Sequence, residues 1–171
     1  GDLATITTDV FTAWANDRAK GLDALMLAPT RDLVSQLNQQ AQTHRLAGRE
    51  PGPAVALADG NTAHSGDTIV TRNNDRRLRL GANDWVKNGD RWTVRDVHRD
   101  GSLTVQHQRT GRPVTLPVDY VCAAAELGYA STIHGAQGIS VDTVHGLATG
   151  DETRQQLYTM LTRGAHANHL Y

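Results

Sequence analysis

One cysteine stands in 171 residues, Cys122 between Val121 and Ala123. A lone cysteine cannot close an internal disulfide. It is expected to be a small buried hydrophobe in a reducing compartment. No apolar run approaches the roughly 20 residues that a membrane-spanning helix requires. The opening Gly1-Asp-Leu-Ala-Thr5 lacks a charged stretch followed by an apolar one, so no secretory signal is expected and the cytoplasm is the expected location. His134, His145, His166 and His169 have no cysteine or second ligand at zinc spacing, and no metal site is expected. No Ser-His-Asp or paired-carboxylate arrangement stands out. A G-x-x-x-x-G-K-[ST] phosphate loop is also missing from the chain.

What is present fits one ordinary core, or one core plus a small module. Hydrophobic residues make up 39%, normal for a globular domain. The net charge of −1 conceals an asymmetry. Between Arg72 and Arg112, ten Lys/Arg face five Asp, leaving +5; the remainder, seven against thirteen, carries −6. A basic middle in an acidic frame suits a local polyanion contact, or a set of solvated Arg-rich strands and turns.

The opening reads as α/β. A helix is expected over 9–20, with Asp9 as its cap, Val10, Phe11, Trp14 and Ala15 on one face, and Gly21 at its end. Asp23-Ala-Leu-Met-Leu-Ala28 is a continuous apolar run suited to a strand buried on both faces, as in a parallel sheet. Thr30 can cap a second helix carrying Leu33, Val34, Leu37 and Ala41. A short strand over 67–71 follows. From Asp84 to Tyr120 the texture changes to short strands with turns at Asn88-Gly89, Asp100-Gly101 and Thr110-Gly111, which reads as a small β-barrel inserted into the α/β frame. The α/β pattern then returns: a loop over 132–138, a strand over 140–144, a helix over 151–163 with Leu157, Met160 and Leu161 on one face and Gly164 after it, and a final strand from Asn168.

Two features carry chemistry. In Thr132-Ile-His134-Gly-Ala-Gln137-Gly138 the glycines allow close backbone approach to a ligand. Thr132 and His134 offer compact donors for phosphate oxygens. By itself the run fits equally a Gly-rich turn with a satisfied histidine. Arg163, between Thr162 and Gly164 at a helix end, can present a fixed guanidinium fork to a phosphoryl group held by another domain, as an arginine finger does. In the barrel segment Trp85 and Trp92 flank Lys87 and Arg91, and aromatics beside cations can stack nucleobases. Trp92 is assigned to the core by its strand spacing.

The segment from Leu127 to Tyr171 resembles motifs V and VI of superfamily 1 helicases of the RecD-like branch. The whole chain resembles the C-terminal motor region of MobF-type conjugative relaxase–helicases of the TraI and TraA kind. Residues 23–32 are similar to the entry into the second RecA-like domain of that family, and Gly66-Asp-Thr-Ile-Val-Thr-Arg72-Asn-Asn74 is similar to its motif IV. The resemblance implies the second of two RecA-like parallel-sheet domains, split over residues 1–80 and 119–171, with a small SH3-like barrel at 81–118. It implies an ATP-dependent 5′→3′ translocase acting on single-stranded DNA. ATP and Mg2+ would be held mainly by the N-terminal motor domain of the same polypeptide, so the fragment alone is expected to be inactive. By the same resemblance Thr132 and His134 would touch the DNA strand; Trp85 and Arg91 are further DNA-contact candidates from the aromatic-beside-cation pattern and not from the resemblance. Gly138 and Gln137 would lie at the nucleotide, and Arg163 and Arg72 would face the γ-phosphate. Tyr158 would be a packing aromatic. At the position of the family's ribose-binding acid this chain departs from the pattern with Ser140, an acid (Asp142) following only two places later, so the resemblance does not carry ribose recognition over to it. The alternative is a non-catalytic module, derived from such a domain, that binds single-stranded DNA or a partner protein.

Overall fold

The structure, a computed structural model, describes residues 2–171. The chain folds into two compact units, one built from the residues up to Arg45 together with Tyr129–Tyr171, the other from Leu46–Gly128.

The first unit is a parallel α/β sheet. Helix α1 (Leu3–Ala19) starts six residues earlier than the Asp9 cap predicts, because Asp2 caps it: its Oδ1 accepts the Thr5 amide at 2.8 Å. The added stretch, nearly two turns, places Thr7 in line with Val10 and Trp14, the three buried residues of the helix. Gly21 ends it in the left-handed region, φ 83°. The Gly21 amide bonds the Arg18 carbonyl and the Leu22 amide that of Asp17, the paired bonds of a Schellman closure. Trp14 then donates from Nε1 to the Ala24 carbonyl at 2.9 Å and ties α1 to strand β1 (Ala24–Ala28).

All five residues of β1 are buried, as a central strand of a parallel sheet demands. Its neighbours, both parallel, are β11 (Ala130–Thr132) and β12 (Val141–Gly146); β13 (Gly164–Leu170) pairs with β12 at the edge, giving the order β11-β1-β12-β13. Helix α2 (Arg31–Leu46) is capped by Thr30, whose Oγ1 accepts the Leu33 amide. From α2 the buried Asn38 bonds both backbone groups of Ala130, accepting from its amide at 2.8 Å and donating to its carbonyl at 3.4 Å. This substitutes for a missing neighbour strand at the β11 edge.

The second unit contains β2 (Ala54–Ala56) and β3 (Thr62–His64) as one hairpin, and β5 (Asp75–Gly81) and β6 (Asp84–Val86) as another. Its main sheet is antiparallel, in the order β10 (Ala125–Leu127), β4 (Thr68–Thr71), β7 (Arg91–Val97), β8 (Leu103–His107), β9 (Pro113–Leu116). Gly89, Gly101 and Gly111 adopt positive φ at the turns anticipated from sequence. Trp92 is fully buried with Ile69, Val94, Leu103, Val105, Leu116 and Leu127, and its Nε1 donates to Thr71 Oγ1 at 3.0 Å.

Two expectations are corrected in this unit. The sheet does not close: among the described residues β9 and β10 are its two free edges, so the expected barrel is an open five-stranded sheet with flanking hairpins. Residues 81–118 supply only three of its strands. The other two, β4 and β10, come from before and after that segment, so the unit runs from 46 to 128. Helix α3 (Val118–Ala124) carries the chain from β9 to β10. It buries Val121 and Ala124, which turns Cys122 outward; the cysteine is exposed, not buried as its apolar neighbours imply.

Candidate nucleotide and nucleic-acid interface

The segment after β11 is pinned by apolar residues at every third position. Ile133, Ala136 and Ile139 are buried in one cluster with Leu25 and Leu27 of β1, Val141 and Val144 of β12, and Met160. The residues between them face outward: His134, Gln137, Gly138 and Ser140 are exposed and Thr132 is half-buried. One turn of 3-10 helix, His134–Ala136, starts the segment, with Ile133 at its N-cap position, and Thr132 Oγ1, one residue earlier, accepts the Gly135 amide at 3.0 Å. That use occupies a lone pair of the hydroxyl and leaves its O–H as a donor. Gly138 has φ 83°, which favours glycine at this turn, and no atom of the described residues lies within 4 Å of where a Cβ would lie.

Helix α4 (Arg154–Thr162) begins three residues later than predicted. Thr153 Oγ1 accepts the Gln156 amide while Gln156 Oε1 accepts the Thr153 amide, a reciprocal capping box. Met160 is fully buried, and its Cε would lie 2.5 Å from a Cβ at Gly146. Leu161 and Tyr158, expected to pack, are 47% and 66% exposed, because the helix turns only its Thr159–Met160 side fully inward. Arg163 caps α4 in right-handed conformation. Its Nη2 donates to Thr162 Oγ1 at 3.2 Å, while its Nε is buried with no hydrogen-bond partner among the described residues. Gly164 does not adopt the left-handed conformation of a helix-ending glycine; a Cβ there would collide with the Ala167 carbonyl and crowd Asn168 and the Val144 amide.

Thr132 and Arg163 are not adjacent. Thr132 pairs with Ala28, at the C-terminal edge of the sheet. Val141, whose amide bonds the Arg163 carbonyl at 3.1 Å, lies two residues before the partner of Ala24, at the opposite edge. Six strand residues separate the two levels, roughly 20 Å at the usual rise. The pinned segment 133–140 crosses that distance, with Thr132 and His134 at one end and Ser140 beside Arg163 at the other.

The remaining predicted residues lie in the second unit. Arg72 follows β4, and its Nε donates to Glu126 Oε1 at 2.7 Å in a half-buried ion pair. Arg91 is buried in the sheet. Trp85 is half-buried on the β5–β6 hairpin, with Arg76 and Lys87 against its ring.

Sequence reasoning missed one polar cluster. Asp17 Oδ2 accepts from Thr143 Oγ1 at 2.8 Å and pairs with His145 Nε2 at 2.6 Å, while His145 Nδ1 meets the Tyr171 hydroxyl at 2.8 Å and His169 stacks on the ring at 5.1 Å. Burial pushes the His145 pKa below its ordinary value, outweighing the pull of Asp17. Burial acts upward on Asp17, but the hydrogen bonds from Thr143 and His145 prevail and hold its pKa below the ordinary range. The signal was half legible: Thr143, His145, His169 and Tyr171 alternate on two paired strands, but Asp17 lies more than a hundred residues away. Asp142 is engaged structurally, its Oδ2 accepting the Asp23 amide at 2.8 Å; Ser140 is exposed.

Residues 127–171, which hold the pinned segment, α4 and Arg163, match the UvrD-like helicase C-terminal domain. The chain thus carries a helicase C-terminal region. Its relatives include the conjugal transfer protein TraA of Agrobacterium fabrum, 31% identical over 162 residues that cover 92% of this chain and 14% of that protein. The uncharacterized protein Rv2311 of Mycobacterium tuberculosis is 29% identical over 121 residues, 70% of this chain and 67% of that one. The fold is similar to that of the Pif1 helicase from Bacteroides, crystallised with ADP-AlF3 and single-stranded DNA, at a TM-score of 0.57 and 17% identity, covering 82% of this chain and 38% of that one. The chain therefore spans a small part of TraA and well under half of Pif1. The resemblance to helicase and relaxase C-terminal regions read from the sequence stands on these matches.

Proposed function

We propose that this chain is the second RecA-like motor domain of an ATP-dependent 5′→3′ DNA translocase of the RecD-like branch, acting on single-stranded DNA in the cytoplasm, as in a conjugative relaxase–helicase. The open sheet of residues 46–128 would take the place of that branch's SH3-like module. The observation that supports this reading best is the pinned segment 133–140, which joins the Thr132–His134 end to the Arg163 end as one packed piece. Thr132 and His134 would hold the DNA strand. Arg163 fits an ATP phosphate: a buried guanidinium nitrogen without a partner is what an arriving phosphoryl oxygen would satisfy. Gly138 and Gln137 would line the nucleotide, and by the family resemblance Arg72 would be a γ-phosphate ligand. Trp85 would add a DNA contact, whereas burial leaves Arg91 to support the sheet. Among the described residues no group of three His, Cys, Asp or Glu could hold a metal ion. By the family resemblance Mg2+ and the phosphate loop would come from an N-terminal motor domain of the same polypeptide. ATP, when bound between the two, supplies the free energy of phosphoryl transfer. This half positions the strand, neutralises charge through Arg163, and passes movement along the pinned segment.

A second reading rests on Rv2311. Since 121 residues are 67% of it, that relative is about 180 residues long, and the unmatched part is too short for a further motor domain of ordinary size. A chain of this type can then act as a non-catalytic module that binds single-stranded DNA or a protein. Anisotropy of a labelled 12-nucleotide strand at several salt concentrations tests both. Salt-dependent binding that falls in Thr132→Ala/His134→Ala, without ATP hydrolysis by the chain alone, is the expected result. Steady ATP hydrolysis that survives Arg163→Ala would overturn the motor-half reading.

A further inference from the structure

The β5–β6 hairpin concentrates cations whose charge the fold leaves unspent. Arg77 is neutralised by Asp75 through two bonds of 3.1 Å, and Lys87 is paired with Asp84. Three other guanidinium groups meet only neutral partners among the described residues. Arg76 lies 4.9 Å from the centroid of the Trp85 ring, Arg79 donates to the Ala82 carbonyl at 2.9 Å, and Arg112 donates to the Leu80 carbonyl at 3.4 Å. Gly81 permits the last contact, since a Cβ there would collide with the Arg112 guanidinium. All three arginines are exposed. Trp85, the cross-strand partner of Arg79 with Arg76 and Lys87 against its ring, is the partly exposed tryptophan; Trp14 and Trp92 are 4% and 0% exposed.

We propose that this hairpin is a second, separate contact for single-stranded nucleic acid, with Trp85 as the stacking surface for an unpaired base and Arg76, Arg79 and Arg112 as phosphate ligands. It takes up the single-strand reading above but does not depend on Thr132 or His134. An unpaired base has a free face to lay on an indole, which a paired base inside a duplex does not. Arginine suits the site on two counts: its planar guanidinium stacks on a ring and it bonds phosphate oxygens with two nitrogens at once. An acidic peptide would use the charges but has no use for the indole between them, so nucleic acid is favoured.

The test titrates the full chain with an oligo-dT strand of about 12 nucleotides, reading anisotropy and intrinsic tryptophan fluorescence. Quenching reports on Trp85, the other two indoles being buried. The Arg76→Gln/Arg79→Gln/Arg112→Gln variant should flatten the slope of log affinity against log salt by about 2, from three phosphate contacts at about 0.7 each. Trp85→Leu should abolish the quench and weaken binding about tenfold. Far-UV dichroism of each variant checks that the fold is kept. Quenching that persists in Thr132→Ala/His134→Ala supports the hairpin independently of the loop. Binding that is lost in the loop variant and unchanged in both hairpin variants overturns this inference and leaves the loop reading intact. Displacement of the strand by poly-glutamate as readily as by unlabelled oligo-dT also overturns it, in favour of an acidic protein partner.

Discussion

Gly146 and Met160 interlock in a way that yields a non-additive pair of substitutions. Met160 is fully buried among residues of β1, β12 and the pinned segment. Its Cε occupies the notch left by the missing Gly146 side chain, with Leu170 Cδ2 next nearest at 3.3 Å. Met160→Ala removes three heavy atoms from a closed cluster, and such truncations cost about 2–5 kcal/mol. Gly146→Ala alone forces a methyl to within 2.5 Å of Met160 Cε. Methionine is adaptable, but this one is enclosed, so the cost is expected at the low end of overpacking, about 1 kcal/mol. In the double variant the new methyl enters space the methionine has vacated, and the Gly146→Ala penalty should vanish or reverse. The expected coupling is therefore about 1 kcal/mol or more in favour of the pair. Urea denaturation of the four proteins, with a shared m-value, measures it. Additivity within about 0.4 kcal/mol would refute the interlock, because independent sites add to that precision.

Asn38→Ala should cost about 1–3 kcal/mol, because it strips the buried Ala130 of both backbone partners; amide exchange at Ala130 should accelerate with it. For His145, the pKa is lowered in the fold, so the unfolded chain takes up its proton first as pH falls. Stability should be full above about 6.5 and decline below it until the folded His145 titrates, and His145→Gln should flatten that part of a melting-temperature profile. Asp17, also lowered, adds a second decline below about 3.8, as its carboxylate titrates in the fold; Asp17→Asn should remove that one. In a chain joined to a phosphate-loop domain, Arg163→Ala should lower the ATP turnover number by about 10³ or more with little change in melting temperature. Arg163→Lys should not restore it, lacking the planar fork.

What was legible in the sequence was what short spacing encodes. Asn88-Gly89, Asp100-Gly101 and Thr110-Gly111 mark real turns because positive φ is a local demand that glycine meets. The burial of β1 followed from an unbroken apolar run. The errors lie where distant residues decide. Barrel closure looked plausible from the strands within 81–118. The sheet instead recruits β4 and β10, whose pairing of Ile69 with Leu127 spans 58 residues and leaves no local trace. The sequence pattern sets the start of α1 at Asp9; the chain caps it at Asp2 instead, and the longer helix buries Thr7 in line with Val10 and Trp14. Cys122 is expected buried from residue type alone, and type does not fix the face of a helical turn: 121 and 124 share the inward face and 122 falls outside it.

The candidate site shows the same division. Its residues were legible as a motif, but their separation was not. A segment leaving the C-terminal edge of one parallel strand must travel the full depth of the sheet before it can enter the next parallel strand. Thr132 and Arg163 are therefore held at opposite edges by topology alone, roughly 20 Å apart. Two ligands bound at those ends could not touch a common side chain. They can influence one another through the segment between, and only if it moves as a body. Burial of Ile133, Ala136 and Ile139 in one cluster with Met160 meets that condition, since a packed cluster shifts between discrete arrangements and does not stretch. Loosening the pegs should then uncouple the ends without touching either ligand. In a chain joined to a phosphate-loop domain, Ile139→Ala should leave strand affinity at the Thr132 end within about threefold. It should also reduce stimulation of ATP hydrolysis by DNA several-fold. Equal loss of both would place Ile139 in the binding surface, and unchanged stimulation would show that the ends communicate by another route.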